Sequence, residues 1–250
     1  MIAESMNSAV PSDPPLQTVT RRAIIAIDGP AGAGKSTIAR HLASYFGLLN
    51  LESGAMYRAF ALKALTSGVA FEDVPALLQL SRETSIHLVP NETGNRVILD
   101  GVDVTGQLRQ QVVTDGASRV SVHPQIRAWM VSLQQELGAQ GGVVMEGRDI
   151  GTVVFPKADV KIFLDAAPEV RGLRRYDQLS PAAAEEVQPE EVVRELRARD
   201  ERDRNRADSP LRPAADAIIL DSTHMTLDEV VARAEAIVTE KLRQVSVPQA

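Results

Sequence analysis

The chain of 250 residues contains no cysteine, which excludes a disulfide framework, a cysteine-ligated metal site and a thiol nucleophile, and fits a reducing cytoplasmic setting. A positive excess is also missing. At a formal net charge of −6 the chain lacks the basic surplus of nucleic-acid and membrane-surface proteins, so neither partner is expected, and any anionic substrate must be met by local charge. No apolar run reaches the roughly 18 residues that a membrane-crossing helix needs. Met1 to Val10 has neither the charged start nor the apolar core of a secretion signal, so a cytoplasmic protein is expected. No internal repeat is visible. Residues 1–21, with Pro11, Pro14 and Pro15 among Ser, Asp and Asn, read as a disordered leader.

What the chain does have is a 44% hydrophobic content, enough for one sizeable core or a core with small attached lobes. Its organising stretch runs from Ile24 through Asp28 to Thr37: a short apolar strand, a glycine-rich turn and the start of a helix. From Gly29 to Ser36 the spacing is Gly, four residues, then Gly-Lys-Ser. Gly29, Gly32 and Gly34 let successive backbone N–H groups converge on an oxyanion, and the following helix adds the positive end of its dipole. Pro30, Ala31, Ala33 and Thr37 complete the cradle. Lys35 supplies a point charge for the β- and γ-phosphates of a nucleoside triphosphate, and the Ser36 hydroxyl is placed to ligate Mg²⁺.

Ser36 to Phe46 carries one apolar stripe and Gly47 is placed to end it, while Leu48 to Leu51 reads as a second strand. Strand, helix and strand in so short a span fix the class as α/β. Val143 to Met145, Val160 to Leu164 and Ala217 to Leu220 are further short apolar strands of the type covered on both faces. Between Ile86 and Val104, β-like runs alternate with turn formers, which predicts a small inserted antiparallel sheet. The stretch from Leu227 to Leu242 predicts a packing helix.

Two charged turns follow predicted strands: Glu52-Ser53-Gly54-Ala55-Met56-Tyr57-Arg58, and Glu146-Gly147-Arg148-Asp149-Ile150-Gly151-Thr152. In an open parallel sheet such turns face the ligand. Glu146, at a strand tip, is where loop NTPases keep an acid for Mg²⁺ or its waters. A capped helix and a surface ion pair are the plainer readings. The densest signal is Arg199-Asp200-Glu201-Arg202-Asp203-Arg204-Asn205-Arg206. From Arg171 to Arg212 there are ten Arg and no Lys in a chain that is acidic overall. On a helix, Arg199, Asp203 and Arg206 share one face, with Arg202 beside them. A solvated helix laced with ion pairs would look the same, but the planar guanidinium binds phosphate bidentately and stays charged, which favours a role as counter-charge in phosphoryl transfer.

In this order, Gly29 to Ser36, Ser53 to Arg58, Glu146 to Pro156 and Arg199 to Arg206 together resemble the bacterial cytidylate kinase family, from about Ile24 to the last helix. The resemblance implies an α/β P-loop three-layer fold with a parallel five-stranded sheet, a small antiparallel-sheet insert and a helical lid. It implies a single P-loop kinase domain over 22–250, with the core at 22–60, 112–175 and 213–245, a substrate-binding lobe at 61–111 and a lid at 176–212. MgATP is then the phosphoryl donor, on Gly29 to Thr37, with Mg²⁺ at Ser36 and at Glu146 directly or through water. CMP and dCMP are the acceptors, in a cytoplasmic monomer. The family's cytosine ligands match Ser53, Arg127, Asp149 and Arg206; its ribose ligands match Ser118, Arg199 and Asp203; its acceptor-phosphate ligands match Arg58 and Arg148. Lys35, Arg148, Arg199, Arg202 and Arg206 become the catalytic charges. A carboxylate beside arginines suits cytosine, whose amino donor flanks acceptors, better than uracil. Two alternatives stay open: a small-acceptor kinase of the UMP, AMP or shikimate type, and a non-enzymatic nucleotide switch. The guanine-reading Asn-Lys-x-Asp pattern of a GTP switch does not occur.

Overall fold

The computed structural model describes residues 22–91, 94–177 and 187–246. The expected leader at 1–21 and the stretch 178–186 of the expected lid lie outside them. The first strand, β1 (Ile24–Asp28), alternates its side chains between two cores: Ile25 and Ile27 face one, Ala26 the other. Helix α1 (Lys35–Phe46) follows and ends at Gly47, whose left-handed conformation lets its N–H reach the carbonyl of Ala43. Then come β2 (Leu49–Glu52), α2 (Ser53–Thr66) and α3 (Val74–Arg82), the last begun by Asp73 accepting from the N–H of Ala76.

The five-stranded sheet has the order β2-β6-β1-β7-β8, with β6 (Val143–Gly147), β7 (Val160–Asp165) and β8 (Ile218–Asp221), and every pairing is parallel. One face is covered by α1 and the long α8 (Leu227–Ser246), the other by α2, α3, α4 (Gln111–Val120) and α5 (Pro124–Gly138). Strands buried on both faces are predominantly apolar, and β6 and β7 are, apart from Glu146 at the end of β6 and Lys161 and Asp165 in β7. The inserted sheet is antiparallel, in the order β3 (Ile86–Asn91), β4 (Gly94–Leu99) and β5 (Val102–Asp103), as the alternation predicted. Its Ile86, Leu88, Val97 and Leu99 join the core on the α2 side. Among the described residues no helix is long and apolar enough to cross a membrane.

Two local features differ from the sequence reading. The turn after β6 is not a simple loop: Ile150–Val154 form a π-helical turn, closed by Val154 N–H to Asp149 O at 3.2 Å and Phe155 N–H to Ile150 O at 2.6 Å. The arginine-bearing helix α7 (Pro189–Asn205), which packs on α6 (Pro168–Tyr176), stops one residue before Arg206. Arg206 leaves the helical backbone at φ −59 and ψ 137, the N–H of Leu211 takes the carbonyl of Asp203 at 2.8 Å, and Arg206 is nonetheless buried beside Asp203.

The core on the α2 side centres on Phe60, fully buried and edge-on to Trp129 at 4.9 Å between centroids. Phe60→Ala is expected to lower the unfolding free energy by about 3–5 kcal/mol. Urea titration followed by the fluorescence of Trp129, the single tryptophan of the chain, measures it.

Candidate active site

The parallel register sets the carboxyl ends of three strands side by side: Asp28 stands opposite Gly147, and Glu52 opposite Glu146. The phosphate loop, the Ser53 turn and the Glu146 turn therefore line one edge of the sheet. Gly29 has φ +151, and a Cβ there would lie 1.9 Å from the carbonyl oxygen of Leu164, because β7 runs directly beside it. No other residue fits. Lys35 is buried, and its Nζ donates to the carbonyl of Pro30 at 2.7 Å across the loop. Burial, and then the charges of Arg148 and Arg199, push its pKa down to about 7 against the pull of Glu146. An anion in the cradle would favour its charged form.

The Ser36 hydroxyl donates to the Glu146 carboxylate across the strand ends. Burial and the neighbouring Glu52 raise the pKa of Glu146, with Lys35 and Ser36 opposing. A buried carboxylate and a hydroxyl are hard oxygen donors of the kind Mg²⁺ takes. The described residues form no group of three or more acidic or histidine side chains around a common point, so an ion here would complete its shell with water and phosphate oxygens. That is the way Mg²⁺ is held in phosphoryl-transfer sites, and the residues present fit it.

Beyond Glu146 the turn is fastened from below. Asp28 is buried, and its two carboxylate oxygens accept the N–H groups of Ile150 and Gly151, both at 2.7 Å. These bonds hold the π-helical turn and, with it, the placement of Arg148 and Asp149. Arg127, from α5, pairs with Asp149, donates to the carbonyl of Ser121 at 3.1 Å and lies over the ring of Tyr57 at 5.8 Å. Ser53 is buried above Gly147, where an added Cβ would meet its Oγ at 2.6 Å.

Helix α7 closes the other side. Asp203 is buried, accepts from Arg148 Nε at 2.9 Å and lies 3.7 Å from Arg206. Burial works against its charge, but Arg148, Arg206 and Arg199 outweigh burial and lower its pKa. Arg199 is lowered to about 10, first by burial and then by the repulsion of Arg148, with Arg58 and Arg202 adding to it. Arg206 is likewise lowered, by burial and by Arg127. Arg58 is held by Glu52. Arg202 is exposed and meets the rim of α4, 3.3 Å from Ser118 Oγ and 3.8 Å from Asp115. The Nε groups of Arg58, Arg127, Arg199 and Arg206 are buried without a hydrogen-bond partner, which leaves donors for an anionic ligand.

The structure thus gathers Lys35, Arg148, Arg199, Asp203 and Arg206 with Arg58, Arg127 and Asp149 in one cluster, and sets Ser118 and Arg202 at its edge. Asp28, Tyr57, Arg171 and Asp200 were not singled out by sequence reasoning. A carboxylate ending an apolar strand just before a glycine was a usable signal for Asp28. Arg171 and Asp200 offered none beyond membership of the arginine-rich stretch.

The family model described as cytidylate kinase matches residues 25–240. A cytidylate kinase of Pelotomaculum thermopropionicum is 50% identical over 208 residues, covering 83% of this chain and 92% of that protein. That of Solibacter usitatus is 48% identical, covering 85% and 90%, and that of Pasteurella multocida 42%, covering 90% and 98%.

Burial, partly offset by the N–H groups of Gly151 and Ile150, raises Asp28 from 3.8 to about 6. The folded protein therefore binds this proton more tightly than the unfolded chain. The stability that the proton adds is fully present below about pH 4 and lost as pH rises through about 6. Asp28→Asn does not titrate, so the unfolding free energy of the wild type minus that of the variant should fall by roughly 2 kcal/mol between about pH 4 and pH 7. Urea titrations across that range read this difference.

Proposed function

The chain belongs to the cytidylate kinase family, and on that premise we propose that it transfers the γ-phosphoryl group of MgATP to the 5′-phosphate of CMP, and of dCMP, giving CDP or dCDP and ADP. The observation that carries this reading is that two anion-binding surfaces face one cleft. The phosphate loop with Lys35 forms one, and Arg58, Arg148 and Arg199 the other, close enough that Arg148 and Arg199 depress the pKa of Lys35.

In this reading Gly29 to Thr37 bind the triphosphate, with backbone N–H groups and Lys35 on the β- and γ-phosphates. Ser36, and Glu146 directly or through water, hold Mg²⁺, which when bound neutralises charge building on the phosphate oxygens. Arg58 and Arg148 receive the acceptor phosphate. Asp149 takes the cytosine amino group, with Ser53, Arg127 and Arg206 at the acceptor positions of the base. Asp203, Arg199 and Ser118 meet the ribose. The acceptor oxygen is already ionised, so no general base and no covalent intermediate are needed. Catalysis is positioning plus preorganised charge from Lys35, Arg148, Arg199, Arg202 and Arg206. Residues 61–111 are assigned to the acceptor-binding lobe, and the described residues 187–212 to the lid, which would exclude water as a competing acceptor. The nucleotide substrates set the reaction in the cytoplasm.

A coupled ADP assay with CMP, dCMP, UMP, AMP and shikimate tests the assignment. CMP and dCMP should lead, and preference for another acceptor would replace the reading, as would slow hydrolysis that no acceptor stimulates. Lys35→Ala should cost about 10²- to 10³-fold in turnover, as losing a preorganised charge does elsewhere. Asp149→Ala should weaken CMP more than other acceptors in protein whose circular dichroism is unchanged. Asp203→Ala should alter the CMP to dCMP ratio, since the two acceptors differ only in the 2′-hydroxyl.

A further inference from the structure

We propose that Arg171 is a positioning residue for the phosphoryl transfer: one guanidinium that fixes the phosphate loop from behind and holds the arginine-bearing helix α7 in register with it. This rests on the kinase reading above, and Arg171 itself lies away from the reacting atoms.

Arg171 stands in α6 with 1% of its surface exposed, among the largest fully buried side chains of the protein. Its three nitrogens have three different partners. Nε donates to the carbonyl of Ala166 at 2.8 Å, within the turn that begins its own helix. One terminal nitrogen donates to the carbonyl of Ala31, inside the phosphate loop, at 2.8 Å. The other lies 2.6 Å from the carboxylate of Asp200, on α7, which is itself buried.

The Ala31 contact has a directional consequence. A peptide unit is planar and trans, so the carbonyl of Ala31 and the N–H of Gly32 point to opposite sides. A guanidinium that holds the oxygen behind the loop turns that N–H toward the front, where the phosphates sit. The loop rests directly on this residue: a Cβ at Gly32 would come within 3.3 Å of the Arg171 Cβ and of its carbonyl oxygen.

The Asp200 contact works on the other half of the site. Asp200 adjoins Arg199 and lies one turn before Asp203, so the buried ion pair sets both the rotation and the height at which α7 presents those two side chains. The helices meet closely here. A Cβ on Gly172 would stand 2.3 Å from Val193 of α7. Only a planar fork can hold a backbone carbonyl and a carboxylate in fixed directions at once; an ammonium is a point charge without that geometry. With the pair out of water, no solvent replaces a lost contact.

The test uses Arg171→Lys and Asp200→Asn in the full chain, with ADP and CMP affinities measured separately by calorimetry, and kcat by the coupled assay. Arg171→Lys should weaken ADP by about tenfold or more and leave CMP within about twofold, because an ammonium can still pair with Asp200 on α7 but cannot also fix the carbonyl of Ala31. Asp200→Asn keeps the Ala31 contact, so ADP should stay within about twofold while kcat falls on the order of tenfold. The proposal is overturned if folded Arg171→Lys binds ADP normally, or loses ADP and CMP equally, or if Asp200→Asn keeps the wild-type kcat. Should Arg171→Lys fail to fold, Asp200→Asn decides alone. Wild-type protein that phosphorylates none of the acceptors would sink the kinase reading instead, and the ADP affinities would still report on Arg171.

Discussion

Repulsion among largely buried cations at one edge of the sheet is the constraint on which the rest of this site depends. Lys35, Arg58, Arg127, Arg148, Arg199 and Arg206 converge there in a chain whose net charge is −6. At an effective dielectric of about 20, two like charges roughly 4 Å apart cost about 4 kcal/mol, so such a group is tolerated only if anions are interleaved. They are: Glu52 beside Arg58, Asp149 beside Arg127, Asp203 between Arg148 and Arg206, and Glu146 near Lys35. The compensation is incomplete. Lys35 and Arg199 remain depressed, and four buried Nε donors remain unspent. A phosphate-bearing ligand supplies what is missing, and so the cost of assembling the site in the empty protein becomes affinity when the nucleotides arrive.

Holding that charge distribution demands a rigid base, and the sheet provides it. β1 lies between β6 and β7, buried from Ile25 to Asp28, and its last residue is the carboxylate that ties down the π-helical turn. Asp28 cannot move without disturbing the register that also places Gly29 against Leu164 and Ser36 against Glu146. The phosphate loop and the Arg148–Asp149 turn are two outlets of one strand pair rather than independent motifs. The arginine helix reaches the same centre by a different route, through Asp203 on Arg148 and Asp200 on Arg171.

The two routes differ in strength. The sheet routes run through backbone hydrogen bonds deep in the core, while the contacts from α7 are ion pairs, one fully buried at Arg171 and others at the cleft edge, as at Arg202. Edge pairs are worth little and are easily remade, whereas a buried pair loses several kcal/mol if one partner is removed. The pair of Arg171 and Asp200 is therefore the firmer hold on α7, and the contacts of Arg202 with Ser118 and Asp115 are the weaker one.

Sequence alone determined the features that depend on near neighbours in the chain. The spacing from Gly29 to Ser36, the apolar runs of β1, β6 and β7, and the alternation of the inserted sheet each follow from local periodicity and turn chemistry, and the structure carries all of them. Arg199 and Asp203 also come to one side, as helical spacing requires. The order β2-β6-β1-β7-β8 was not legible, nor were the partners of Asp28, Arg171 and Asp200, which lie 122, 140 and 29 residues away along the chain. Such pairings are decided by how two cores pack on the faces of one sheet, a property of the whole chain that no window of neighbours contains. The same holds for Arg206: helical spacing carried it onto the face of Asp203, but the backbone leaves the helix first, and burial in the cleft brings the two together.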